Sequence, residues 1–251
     1  MGTSYNANIV TDGLELCLDA ANPRSYPGSG STWYDLSGNS RNFTLYNSSY
    51  YSFSKNNAGY IDLNRTMPPT TETGGYAIHT ATGALTSANY MFNDHTTEIL
   101  VRFDDIDATN YNTTETINAL LVYRGYHCLF YANTSDVYYN IWAINGSFSS
   151  QNTPYGIAPQ ENNWTHYAAT RNGNTITLYK NGEMITSNSI TTTAVLTNVS
   201  NDIVIGRAAP HSQGYSWAAD IKVSLVRMYT TALDSDQIAQ NFNATRGRYG
   251  I

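Results

Sequence analysis

Charge is scarce in this 251-residue chain: Asp, Glu, Lys and Arg together make up 13% of it, well below the usual quarter. With 13 Lys and Arg against 19 Asp and Glu, the formal net charge is -6, which excludes a broad basic surface for nucleic acid or anionic lipid. Cysteine is nearly absent. The two, Cys17 and Cys128, lie far apart, and both read as buried free thiols rather than a disulfide framework. No apolar run approaches the length of a membrane span, so membrane insertion is not expected. The opening "MGTSYNANIV" lacks a basic region followed by an apolar stretch, which predicts a product made in the cytoplasm. The Asn-x-Ser/Thr triplets at 42–44 and 163–165 then carry no glycosylation reading.

What the chain does have is 21 tyrosines and recurring short stretches of Thr, Ser and Asn, a composition that favours strands and polar turns over helices. "GLELCLDA" sets Leu14, Leu16 and Leu18 against Glu15, Cys17 and Asp19, the period-two pattern of a half-buried strand. "GYIDL" at 59–63, "TTEILVRF" at 96–103 and "VYYNIWAI" at 137–144 read as strands. So do "DIVIGR" and "DIKVSLVRMY", the latter with Ile221, Val223 and Leu225 on one face. "NWTHYAATRNGNTITLYKNGEMI" is a strand, a tight turn at Asn172-Gly173, a second strand and another turn at Asn181-Gly182. One helix is predicted, in "LDSDQIAQNFNA". Asp234 caps it with Gln237 three residues on, and Leu233 and Ile238 are placed as a hydrophobic staple. The expectation is an all-β, antiparallel two-sheet sandwich of the jelly-roll type in a single domain spanning residues 1–251. Long loop insertions are expected near 64–95 and 104–118, and a C-terminal tail over 243–251.

The order of these pieces resembles the concanavalin A-like, laminin-G-like lectin and glucanase superfamily. "GLELCLDA", "WYDLSGNSRNFTL", "AGYIDL", "TTEILVRF", the double hairpin, "IVIGR" and "DIKVSLVRMYTTALDSDQIAQNF" carry the likeness across nearly the whole chain. It implies two curved antiparallel sheets with the first and last long strands as neighbours. A narrower likeness lies at the ends: "CLDAANPRSYPGSGSTWYDLSGN" and "QNFNATRGRYGI" are similar to laminin-G-like proteins of tailed-phage virions, especially of phages of marine bacteria. That likeness implies a capsid-decoration or fibre component at the virion surface, synthesised in the host cytoplasm, with capsid or fibre proteins as partners.

The superfamily includes glucanases, whose Glu-x-Asp-x-x-Glu run sets acid and nucleophile into one cleft. No such run occurs. Glu98 stands alone, a strand-edge carboxylate paired locally by expectation, and Glu115 and Glu161 sit in separate segments. The five histidines, His79, His95, His127, His166 and His211, form no metal-ligand pair, and neither cysteine has the setting of a nucleophile. No enzyme activity is expected. The resemblance also raises calcium, for which Asp94, Asp104, Asp105 and Asp107 are the candidate oxygen donors; no other cofactor is expected. Tyr111, Tyr126, Tyr215 and Trp217 are candidate ring platforms for a host-surface glycan, or else covers for the sandwich ends or an intersubunit contact. Arg246, Arg248, Tyr249 and Ile251 make the tail a candidate assembly contact, unless it folds back on its own sheet. The functional expectation is a non-enzymatic virion structural protein on a lectin-like sandwich, in a homo-oligomer. A carbohydrate-binding module without a virion role stands second and a glycoside hydrolase last.

Overall fold

Two of the leucines expected on one face of "LELCLD" turn inward: the segment forms β1 (Leu14–Asp19), with Leu16 and Leu18 fully buried in the core, whereas a register shift between Leu14 and Leu16 leaves Leu14 half-buried on the opposite face, beside Tyr179 and Leu233. The computed structural model describes residues 8–56, 58–66, 73–106, 118–123, 129–140, 143–144, 148–149, 157–189, 200–208 and 218–251. The next elements are β2 (Thr32–Trp33), β3 (Phe43–Tyr46), β4 (Tyr51–Ser54), β5 (Tyr60–Leu63), β6 (Arg65–Thr66), β7 (Thr73–Gly74), β8 (Tyr76–Thr80) and helix α1 (Ser87–Phe92). After it come β9 (His95–Asp105), β10 (Asn118–Tyr123), β11 (Leu129–Ala132), β12 (Val137–Asn140), β13 (Ala143–Ile144) and β14 (Phe148–Ser149). The chain continues through β15 (Thr165–Asn172), β16 (Thr175–Lys180), β17 (Glu183–Ser189), β18 (Asp202–Ile205) and β19 (Asp220–Tyr229) to helix α2 (Ser235–Arg246).

These strands build two antiparallel sheets. The larger runs β17-β16-β15-β9-β19-β5-β4, with β1 added to it on β19; the smaller runs β12-β11-β10-β18-β8-β3-β2. β19 is the spine. It pairs with β9 along one edge, while its other edge meets β5 through Ile221 to Val223 and β1 through Leu225 to Tyr229. The first and last long strands are therefore neighbours, as the resemblance implies. Ile99, Val101 and Phe103 from the larger sheet share one core with Leu121, Tyr123 and Phe130 from the smaller. Each such buried side chain contributes about 1.5–3 kcal/mol relative to exposure.

A second layer covers the back of the larger sheet. α2 starts with the predicted capping box, in which the Asp234 side chain accepts from Gln237 N and the Gln237 side chain accepts from Asp234 N. Leu233 and Ile238 join Tyr179, Ala168 and Tyr229 in a separate apolar cluster. The turn between β16 and β17 supports the same helix. Asn181 and Gly182 both take positive φ, 51° and 82°, and a Cβ on Gly182 would lie 2.9 Å from the Phe242 ring.

Five expectations need correction. The span 64–95 is no loop: it holds β8, paired between β3 and β18, and α1. Ala77 and His79 face inward along β8, and a small and a polar residue there hide the alternation of a strand. The structure has α1 besides α2 among the described residues; α1 has six residues and no side-chain cap. "VYYNIWAI" splits into β12 and β13, and β13 pairs only with β14. The first hairpin turn is Gly173-Asn174, one residue later than expected, because Asn172 already pairs with Thr175. Leu225 does not share a face with Ile221 and Val223. A register shift between Val223 and Leu225 turns it outward to Trp164 and Tyr249.

Candidate functional site

At the end of the larger sheet where α1 runs into β9, an open cleft of about 560 Å³ is lined by Phe92 to Asp94, Arg171, Gly173, Asn174 and Thr230. Two pieces of chain form it. Antiparallel pairing sets Arg171 opposite His95, so the β15–β16 turn stands beside the α1–β9 junction. Asp94 locks them together, its Oδ1 accepting from Gly173 N at 2.7 Å. Asp94 is exposed and its other oxygen has no partner among the described residues. Arg171 is 4% exposed. Its Nε donates to Gly173 O at 2.9 Å and Nη1 to Met91 O. Those two bonds fix the guanidinium plane, and Nη2 makes no hydrogen bond among the described residues. Desolvation lowers the Arg171 pKa, with Tyr139 and Asp94 opposing.

The floor beneath is polar but fully buried. His95 Nε2 lies 2.7 Å from Tyr139 Oη and Nδ1 lies 2.9 Å from Asn93 O. Burial pushes the His95 pKa down to about 4, so the ring is neutral near pH 7 and serves as a fixed hydrogen-bonding strut. Tyr90 Oη bonds Thr97 Oγ1 at 2.9 Å in the same cluster. A carboxylate with a free oxygen, an immobilised guanidinium, the two exposed amides of Asn93 and Asn174, and the edge of Phe92 form a wet, directional surface. That surface suits vicinal hydroxyls. Nothing in it is a nucleophile or a paired acid and base.

The candidate calcium donors do not converge. Asp94 precedes β9 and Asp104 is its penultimate residue, so nine residues of extended chain, roughly 30 Å, separate them; Asp107 lies outside the described residues. Asp104 instead meets Asp62 and Asp220, with one carboxylate oxygen from each within 4.8 Å of the others. Asp62 Oδ1 and Asp220 Oδ1 are buried without hydrogen-bond partners among the described residues. However, Lys222 Nζ bonds Asp104 and lies 3.3 Å from Asp62, and Arg102 adds a second cation at 3.1 Å from Asp104. The donors as arranged already hold an ammonium and a guanidinium, which does not fit a divalent ion. Asp105 is exposed at the strand end.

Glu98 is not at a strand edge. It sits at 0% exposure on the central strand β9, accepting from Arg227 Nη1 at 2.8 Å and from Asn241 Nδ2 at 3.0 Å. Both partners are more than 100 residues away in sequence, so the pairing is tertiary rather than local. His166 Nε2 is 3.9 Å from the same carboxylate. Glu161 is remote from it, bonding Ile106 N at 2.9 Å; Glu115 lies outside the described residues. Cys17 is a buried free thiol whose pKa burial pushes up to about 11, so it is no nucleophile near pH 7. Cys128, Tyr111, Tyr126, Tyr215 and Trp217 lie outside the described residues. The tail folds back on the larger sheet. Tyr249 is 8% exposed against Trp164 and Leu225, with Ile251 packed on the same cluster, and Arg248 pairs with Asp19 at 2.9 Å. Arg246 is exposed. Sequence reasoning missed Arg171, Asn174 and Phe92; the available signal was the Asn-Gly turn, which it read only as architecture.

The family model of the concanavalin A-like lectin/glucanases superfamily matches residues 72–239, well over half of the chain. Comparison with curated proteins finds no match. Among solved structures, the binding domain of botulinum neurotoxin DC in complex with SialylT is similar with a TM-score of 0.68 at 13% identity, covering 94% of this chain and 52% of that one. A botulinum neurotoxin type C structure, whose cellular access depends on interaction with two ganglioside molecules, gives 0.67 at 12%, covering 94% and 52%. The binding domain of Paraclostridial Mosquitocidal Protein 1 gives 0.66 at 16%, covering 93% and 52%. The chain thus spans about half the length of these structures, and at such identities the likeness is one of fold. Sheet order, the pairing of β1 with β19 and the family match agree: this chain belongs to the concanavalin A-like lectin/glucanases superfamily.

Proposed function

We propose that the protein is a non-catalytic, lectin-like module that binds glycan in the cleft between Asp94 and Asn174. The observation that carries this reading is the Asp94 carboxylate, held by Gly173 N through one oxygen while the other stays open beside the fixed Arg171. Such a pair accepts from and donates to adjacent sugar hydroxyls without first being ordered. Titrating the full chain against a panel of neutral oligosaccharides tests it. Binding is expected, with a loss of about tenfold or more in Asp94→Asn and Asn174→Ala. Unchanged affinity in both variants removes the cleft from the site. The ganglioside dependence of a neurotoxin of the same fold supports a glycan as the ligand class.

The terminal sequence likeness supports a virion surface as the setting in which this module is displayed. Mass spectrometry of purified particles is expected to find the chain in many copies; finding it only in infected-cell lysate overturns that setting and leaves the glycan reading standing.

A further inference from the structure

A second surface, on the outer face of the smaller sheet, has a different chemistry. Tyr46 ends β3 and Tyr76 begins β8, and the antiparallel register sets them directly opposite each other. Their ring centroids are 5.3 Å apart with planes only 10° from parallel. The Arg207 guanidinium then lies over the Tyr76 ring, 5.5 Å from its centroid. The three side chains form a continuous run from an aromatic face to a cation, and Tyr46, at its open end, is 47% exposed.

The backbone around this run is tightly constrained. Asn47 Nδ2 bonds Gly74 O at 2.7 Å, tying the end of β3 to the end of β7, two residues before β8. Gly206, at φ +86°, brings Arg207 into place where any Cβ would lie 2.5 Å from Leu63 Cδ1. Arg207 is half-buried, yet no carboxylate pairs with it among the described residues, and its Nε is buried without an acceptor. A cross-strand tyrosine pair on its own stabilises a ladder by about 0.2–1 kcal/mol. It does not account for a half-buried cation without a counter-ion among the described residues, on a chain of net charge -6.

We infer that the Tyr46-Tyr76-Arg207 run is a second binding site that takes an acidic oligosaccharide, a sugar ring stacking on Tyr46 and a carboxylate meeting Arg207. A phenol ring offers a flat apolar face with a polar tip, which matches the alternating faces and hydroxyls of a sugar. A guanidinium recognises carboxylate through paired N–H donors and gains from being partly desolvated. Two steps of 5.3 Å and 5.5 Å accommodate more than a single ring. The site is independent of the Asp94 cleft, and its ligand differs in charge.

The test is calorimetric titration of the full chain with a set of uronic- and sialic-acid oligosaccharides and the methyl ester of each. The proteins are wild type, Tyr46→Ala, Arg207→Gln and Asp94→Asn, each first shown to have a native circular-dichroism spectrum. Acidic oligosaccharide is expected to bind wild type about tenfold or more tightly than its ester. That preference disappears in Arg207→Gln, binding weakens to a similar degree in Tyr46→Ala, and the preference for acid over ester is retained in Asp94→Asn. Failure of every acidic oligosaccharide to bind, or equal affinity in wild type, Tyr46→Ala and Arg207→Gln, overturns the inference. So does a change of sedimentation coefficient in Tyr46→Ala without a change in binding, which would make the tyrosines a contact between copies. Because Asp94→Asn reads only the neutral-glycan cleft, failure of one site is distinguishable from failure of the other.

Discussion

Arg227 Nη1 donates to Glu98 Oε2 at 2.8 Å in a region where neither side chain is more than 2% exposed. The pair crosses from β19 to β9, and Asn241 ties it to α2 through Glu98 Oε1. A buried ion pair is costly to form and costlier to break. Glu98→Ala, which strands the guanidinium, is expected to lose about 3–5 kcal/mol of unfolding free energy. Glu98→Leu combined with Arg227→Met should recover most of that loss, since no charge is then buried. Urea unfolding of the single and double variants checks both expectations. A double variant no better than Glu98→Ala would show that the pair contributes more than it costs.

The same pair sets the response to acid. Burial alone raises the Glu98 pKa, but the Arg227 charge, together with His166 and the Asn241 hydrogen bond, outweighs it and holds the carboxyl down at about 2 against an ordinary 4.5. The folded value lies below the unfolded one, so the associated stability is fully present above about pH 4.5 and is lost as the pH falls toward 2. Glu98→Gln is expected to flatten this part of the stability curve. Thermal melts from pH 5 to pH 2 measure it, and a wild-type slope retained in the variant would assign the acid response to other carboxylates.

The tight spots of the fold were the legible ones. The capping box at Asp234, the Asn181-Gly182 turn and the inward pair Leu16 and Leu18 in β1 are written in adjacent residues, so local physics alone reveals them. The β8 strand was hidden because Ala77 and His79 occupy its inward face. The outward turn of Leu225 was hidden because a bulge leaves no mark in the pattern of apolar residues. The Asp94 cleft depends on a contact across 79 residues and the Glu98 site on one across 129. Both come from pairing β15 and β19 onto β9, a register that no short stretch encodes. Asp94 was picked out, but as a metal donor; its real neighbour is a backbone N–H in a turn.

Asp220 titrates in the opposite sense. Burial first, with Asp62 and Asp105 adding to it, pushes its carboxyl up to about 6, while Arg65 opposes the rise. The folded value lies above the unfolded 3.8, so this group favours the fold at low pH and the contribution is lost as the pH rises through about 6. Asp220→Asn is expected to raise the melting temperature at pH 7.5 and to leave it unchanged at pH 4. An equal effect at both values would mean that the group is not titrating between them.

Lys222 governs whether that acidic corner responds to calcium. Its ammonium already serves Asp104 and Asp62, so excess calcium is expected to leave the wild-type melting temperature unchanged. Lys222→Met removes the ammonium and leaves three carboxylates within 4.8 Å. Its melting temperature should be lower without calcium and should rise on adding it, because Arg102 alone then offsets the three hard oxygen donors, which repel one another. A calcium-dependent melt of the wild type would show that the ion displaces Lys222.

The tail gives the last expectation. Tyr249 packs its ring 5.1 Å from that of Trp164 and its hydroxyl bonds Ser224 at the β19 bulge, while Arg248 bonds both oxygens of Asp19 at 3.1 and 2.9 Å. Residues that looked free for assembly are therefore used within the chain. Tyr249→Ala should cost about 3 kcal/mol, as for other large aromatic truncations in a packed site. Deleting residues 247–251 should cost more, since it also removes the Asp19 partner. On the proposed virion setting, loss of particle incorporation by the truncated chain would then follow from instability and say nothing of docking. Arg246 separates the two effects: it is exposed, with its guanidinium 5.8 Å from the centroid of the Phe242 ring. Arg246→Glu should melt with the wild type to within about 0.5 kcal/mol, as exposed substitutions do. If that variant incorporates fully, the end of α2 is not an assembly contact; if it folds normally and fails to incorporate, the contact is made there, through charge.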